Sequence, residues 1–131
     1  MTGIKPIPEG VSRMEFRIKR VYEEPEVADG TRVLVDRLWP RGLSKEKARV
    51  DLWPKELAPS DELRKRFHED GDFNTFEKDY RAGIDPEDLD RLLNRLEGER
   101  VTLLFASKDE KENNAQVLKK MLMEKSGQQN R

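Results

Sequence analysis

Cysteine is absent from the chain. That excludes disulfides, thiolate metal sites and a cysteine nucleophile, and it fits a reducing compartment. Histidine is nearly absent too, with His68 the single copy. One histidine among dispersed acids offers no recognisable ligand spacing, so no metal is expected. No apolar run approaches the roughly 20 residues of a membrane span. Residues 1–14 carry scattered proline and glycine instead of the hydrophobic core of a signal peptide. The expected location is cytoplasmic. Glycine-rich phosphate loops, Gly-x-Ser-x-Gly and His-Glu-x-x-His are all missing. Ser107 as a hydrolase nucleophile would have to recruit the distant His68.

Net charge is also close to nil, at −1, although 40% of residues are charged and only 34% hydrophobic. Such a composition favours disorder only when the charge is unbalanced. Here it is balanced and the apolar residues are periodic, so the chain folds. Its 131 residues suit one domain. A chain of this size buries roughly two-thirds of its unfolded surface. The balance conceals a segregation. Between Thr31 and Val50 six Lys/Arg face two acids, and between Glu69 and Asp90 nine acids face two Lys/Arg. Either these are solvated faces that complement each other, or the first is an anion-binding surface.

Residues 1–14 lack periodicity and are expected to form a flexible arm, residues 15–125 the domain, and residues 126–131 a flexible tail. Phe16–Val21 alternates as a first strand. Pro25 and Asp29-Gly30 mark turns. Arg32-Val-Leu-Val-Asp36 is a β-branched run requiring burial on both faces, as in a parallel sheet interior. Ser44 caps a short helix through Ala48, and Val50–Trp53 is a brief extended piece. Ser60 caps a second helix whose first turn holds Asp61 and Glu62. Asn74 with Glu77 resembles a capping arrangement for a third, running to Ala82 and ended by Gly83. Asp85-Pro86 opens a fourth, with an apolar stripe of Leu89, Leu92, Leu93 and Leu96. Val101–Ala106 is the clearest strand, and Asn113–Glu124 the last helix. The order predicts an α/β fold, a small three-layer Rossmann-like domain with a short, largely parallel sheet flanked by helices. Strands Val33–Asp36 and Val101–Ala106 are expected to be parallel neighbours. The first strand joins the second through about nine residues, short of the dozen or so that a parallel crossover needs, which leaves its direction open.

In open α/β sheets ligands bind beyond the carboxyl ends of the strands. Two strands end in polar clusters, Asp36-Arg37 and Ser107-Lys108-Asp109. Side by side they form a candidate site for a small anionic, nucleotide-like molecule. Arg37 and Arg41 would grip a phosphate or carboxylate bidentately, Lys108 would add a point charge, and Asp36 would orient an arginine or act as a base. Ser107, Trp39 and Asn113, at the start of the last helix, complete the set. The alternative is that Asp36 and the arginines pair internally while Trp39 and Pro40 plug the sheet edge. His68, near a helix C-terminus, is better explained as a capping residue than as a catalyst. Asp70-Gly-Asp72 reads as a turn before it reads as a cation site.

These residues carry a resemblance. Lys19-Arg20-Val21-Tyr22, Asp29-Gly30 and Arg32-Val-Leu-Val-Asp-Arg-Leu-Trp-Pro-Arg-Gly42 are similar to the YeaO-like branch of domain-of-unknown-function family 488. So are Leu52-Trp53, Glu56–Ser60, Glu62–Lys65, Phe67-His68 and Thr102–Leu104, and the similarity spans about Arg17 to Leu122. The resemblance implies no activity. The family pattern after the last strand resembles Lys-Asp followed by His-Asn-His-Ala, where this chain has Glu112-Asn113-Asn114-Ala115. A histidine role there would be lost; Glu112 could serve as a base, whereas Asn114 can only hydrogen-bond. The strand end Val-Leu-Val-Asp superficially resembles rhodaneses, but sulfur transfer through a persulfide needs a cysteine.

Three functions compete. The first is a pocket for a small anionic molecule, lined by Asp36, Arg37, Arg41, Ser107, Lys108 and Asn113. The second is nucleic-acid binding through residues 31–50, with Trp39 or Trp53 stacking on bases; a pI near 6.0 weighs against it. The third is a non-enzymatic interaction protein or homo-oligomer whose basic and acidic faces meet between chains.

Overall fold

The computed structural model describes residues 14–127. The expected N-terminal arm up to Arg13 and the last four residues lie outside the described residues. Met14, the final residue assigned to that arm, is buried against the core, and Ser126 is buried at the end of the last helix. Strands β1 (Glu15–Arg20), β2 (Thr31–Leu34) and β3 (Arg100–Phe105) form one sheet. Its order is β1-β3-β2 and both pairings are parallel. The helices are α1 (Lys45–Ala48), α2 (Asp61–Asp70), α3 (Phe73–Gly83), α4 (Pro86–Arg95) and α5 (Asn114–Lys125). The α/β expectation holds, with a wholly parallel sheet.

The two faces are unequal. Phe16, Val33, Val101, Leu103 and Phe105 point into the main core with Phe76 and Tyr80 of α3, the leucine stripe of α4, and Val117, Leu118 and Leu122 of α5. Each such aliphatic side chain contributes about 1.5–3 kcal/mol of burial. On the opposite face Val21, Leu34 and Leu104 pack against Trp39, Leu43, Val50 and Trp53, from the segments flanking α1, and against Ala106 just past the end of β3.

A ten-residue span, 21–30, returns the chain from the end of β1 to the start of β2 on the far side of β3. It holds no α-helix, only a short 3-10 turn at Val27–Asp29. The parallel arrangement is possible because this span is anchored by polar side chains rather than by a packed helix. Asp29 is buried and accepts from Lys19 Nζ at 3.1 Å, from the Arg32 guanidinium and from the Glu26 amide at 2.9 Å. Its carbonyl accepts from Thr102 Oγ1 at 2.7 Å. Arg32, also buried, donates onward to the Ala48 carbonyl at 2.7 Å and the Arg49 carbonyl at 3.1 Å. Arg49, held there, is the one non-glycine residue with positive φ among the described residues, at 48°. Gly30 follows Asp29 at φ +67, and a Cβ on it would sit 2.1 Å from the Arg100 carbonyl oxygen. Only glycine fits.

Two expectations need correction. The run Arg32–Val35 is buried on both faces as foreseen, yet β2 is an edge strand, because β3 occupies the centre. Its outer edge is covered by the chain at Asp51-Leu52, where Leu34 N donates to the Leu52 carbonyl at 2.9 Å and Asp51 N to the Arg32 carbonyl at 2.8 Å. The third helix is capped by Asp72, whose carboxylate accepts from the Thr75 amide at 3.1 Å, and it begins at Phe73. Asn74 is therefore inside its first turn. The other cap residues, Ser44, Ser60, Asp85 and Asn113, each accept a first-turn amide.

Candidate ligand-binding cleft

The carboxyl ends of β2 and β3 open into a cleft of about 800 Å³. Its floor is set by register. Val35 N donates to the Leu104 carbonyl at 3.0 Å, which brings Asp36 beside Ala106. Asp36 Oδ2 accepts from Ala106 N at 2.9 Å, and Oδ1 accepts from Asn114 Nδ2 at 3.1 Å. Asn114, buried in the first turn of α5, also donates to the Val35 carbonyl at 2.9 Å. Both contacts use the Asn114 side-chain amide as donor.

Burial pushes the half-buried Asp36 carboxyl above its ordinary range, and the Ala106 and Asn114 donors offset only part of that. Tyr80, almost wholly buried beneath the site, donates its hydroxyl to the Leu57 carbonyl. Its phenol is pushed well above the ordinary value by burial and then by the Asp36 charge. It stays neutral and serves as a donor.

The opposite wall comes from α2. Arg64, Lys65, Phe67 and His68 line the cleft. Residues 64 and 68 share a helix face because they are one turn apart. Phe67 lies 5.0 Å, centroid to centroid, from Phe76, giving an aromatic side to the cavity. Arg64 carries the least satisfied group. Its Nε is shut off from solvent and has no hydrogen-bond partner, while its guanidinium reaches Asp61 only at 3.7 Å. Its charge nevertheless acts on Asp36, lowering that carboxyl slightly. A buried N–H without an acceptor costs about 1–3 kcal/mol.

Of the residues singled out from sequence, Asp36, Ser107 and Asn113 line the cleft. Asn113 is occupied as the α5 cap, accepting from Gln116 N and donating to the Asp109 carbonyl, each at 2.9 Å. Arg37, Trp39, Arg41 and Lys108 are not among its lining residues. Trp39 turns onto the second face of the sheet, its ring 5.5 Å from that of Trp53, and Trp53 Nε1 donates to the Asp36 carbonyl at 2.7 Å. Arg37 and Arg41 are exposed, and neither guanidinium has a partner among the described residues. His68 sits in the last turn of α2, where the end of the helix is closed by the Gly71 amide on the Phe67 carbonyl, and it lies on the cleft wall. Glu112 is exposed at the rim. Arg64, Lys65 and Phe67 carry part of the family resemblance but were not expected from sequence to line the site. The available signal was the i, i+4 pair of Arg64 and His68 behind a Ser60 cap.

The fold and the cleft define a class: a small α/β domain with a polar pocket at its parallel strand ends. The chain belongs to the YeaO-like branch of the DUF488 family, and the family description that matches residues 15–131 reads "inactive DUF488-N3 subclade". It is 44% identical over 108 residues to uncharacterized protein YeaO of Escherichia coli (strain K12), covering 80% of this chain and 94% of that protein. It is 37% identical over 114 residues to uncharacterized protein Rv3073c of Mycobacterium tuberculosis (strain ATCC 25618 / H37Rv), covering 86% and 97% respectively. No solved structure matches the chain. No helix among the described residues is long and apolar enough to cross a membrane.

Proposed function

We propose that this protein is a non-catalytic binding domain that holds a small, nucleotide-like molecule in the cleft at the strand ends. The observation that carries this reading is that Asp36 at the strand ends and Arg64, whose side chain is 41% exposed and reaches Asp61 only at 3.7 Å, line one cleft. A ligand phosphate or carboxylate is gripped by the exposed part of that guanidinium. Asp36 faces the same cavity and takes a ligand N–H or O–H on its remaining lone pairs. Phe67 and Phe76 receive a planar apolar body between them and the floor.

The charge distribution narrows the ligand further. Arg64 and Lys65 are opposed by Asp36, Glu69, Asp109 and Glu112 around the cleft. A bare polyanion meets repulsion at that rim, whereas a small molecule with one anionic group and one donor edge matches it. The word "inactive" in the description of the matching subclade supports binding without turnover.

A thermal-shift panel of uridine monophosphate, adenosine monophosphate, nicotinate and inorganic phosphate tests the reading on wild type and Arg64→Met. A ligand at 100 times its Kd stabilises the protein by about 2.7 kcal/mol. At least one organic anion is expected to stabilise wild type and to lose that effect in Arg64→Met. If none stabilises wild type, or the variant responds equally, the cleft is not this kind of site.

A further inference from the structure

The basic and acidic segments differ in how their charges are used. In the acidic stretch, Glu77 pairs with Arg81 and Lys120, Asp79 with Arg66, Glu87 and Asp88 with Arg91, and Asp90 with Lys125. Asp72 and Asp85 are spent as helix caps. Five of its nine acids are thus ion-paired within the chain.

The basic segment is sorted in the other sense. Asp36 within it is bonded to Ala106 and Asn114, and Asp51 just beyond it accepts from the Arg32 amide at 2.9 Å. Its cations Arg37, Arg41, Lys45, Lys47 and Arg49 are all exposed, and none has an ion pair among the described residues. Glu46 is the single outward acid between them. An exposed aromatic adjoins the strip. Tyr22, 43% exposed, donates its hydroxyl to the Arg41 carbonyl at 3.0 Å, and the Arg20 guanidinium lies 5.3 Å from its ring centroid.

We infer that the outer surface of residues 37–49, together with Tyr22, binds single-stranded nucleic acid. Unpaired cations along an irregular segment track a phosphate backbone, arginine forks grip phosphate oxygens, and an exposed ring gives a base a surface to stack on. Trp39 and Trp53 do not fill that role, because both are packed over the sheet. The near-zero net charge is no obstacle, since charges beyond about 10 Å are screened at 0.1 M salt. This surface is independent of the cleft.

Fluorescence anisotropy with a labelled oligo-dT of about 20 nucleotides tests the inference on the full chain. Five phosphate contacts give a salt slope of about −3.5, hence roughly a hundredfold weaker binding at 200 mM than at 50 mM salt. Arg37→Gln with Arg41→Gln is expected to reduce that ratio to roughly twentyfold, by the same relation. The charge-matched pair Lys78→Gln with Arg95→Gln, on distant exposed surfaces, leaves it unchanged. Tyr22→Phe keeps the ring and the affinity, whereas Tyr22→Leu loses affinity roughly tenfold. The inference is overturned by absence of binding at 50 mM salt, by equal loss in the two paired variants, or by equally tight binding of a labelled poly-glutamate of the same length.

Discussion

Replacing Asp29 by alanine removes the buried carboxylate that ties the β1–β2 connection to both Lys19 and Arg32. Lys19 and Arg32 both donate to it, and the Arg32 and Asp29 side chains are only 4% and 8% exposed. Arg32 retains the Ala48 and Arg49 carbonyls in the variant, but its charge has no counter-ion. The Glu26 amide loses its acceptor as well. Stranding a buried charge in this way costs about 3–5 kcal/mol. For a chain of this length that corresponds to a fall in Tm on the order of 10–20 °C. Urea unfolding followed by circular dichroism measures the loss. Asp29→Asn keeps the shape and the Glu26 contact and is expected to lose less than the alanine variant. A loss below about 1 kcal/mol in Asp29→Ala would show that the network is hydrated and that the connection is held by other contacts.

Two acids give opposite pH signatures. Burial works to raise the Asp29 carboxyl, but the Glu26 amide, Lys19 and Arg32 outweigh it and hold it below its ordinary value. Its contribution is therefore present above about pH 3.9 and lost as pH falls through the lower folded value. Asp36 is raised by burial, so its contribution is present below about pH 3.9 and lost as pH rises through the folded value. Between pH 4 and neutrality wild type should lose stability relative to Asp36→Asn; parallel stability curves for the two proteins count against a buried charge at that position. At the α3 cap, Asp72→Ala is expected to cost about 1 kcal/mol in urea unfolding, and Asn74→Ala less than about 0.5 kcal/mol. The reverse order would mean that the helix starts two residues later.

Much of the architecture is legible because its signals are local. Ser44, Ser60 and Asp85-Pro86 each cap the helix that their spacing announces, and the leucine stripe of α4 faces the core as its period requires. Asn74-Glu77 misled because a capping pattern competes with its neighbours, and Asp72 has both the Thr75 amide and the Thr75 hydroxyl as donors. The position of β1 was not readable. Its pairing joins residues 85 apart, Glu15 with Arg100, and the connection that permits it relies on Lys19, Asp29 and Arg32, charged residues that look solvated in sequence. The site was half legible. Asp36 and Ser107 follow from the strand-end rule, whereas Arg64 enters from a helix that is distant in sequence. Arg37 and Arg41, the obvious cations, point elsewhere because Trp39 turns the loop onto the second face.

The most direct test of the cleft is a nitrogen–proton NMR spectrum that resolves the Arg64 Nε–H, assigned by its disappearance in Arg64→Met. Titration with adenosine monophosphate and uridine monophosphate is predicted to shift that resonance and slow its exchange, as an anionic group engages the guanidinium that carries it. If the resonance is unmoved while either nucleotide binds the protein, or if neither binds, Arg64 is not the anchor and the cleft does not hold this class of molecule.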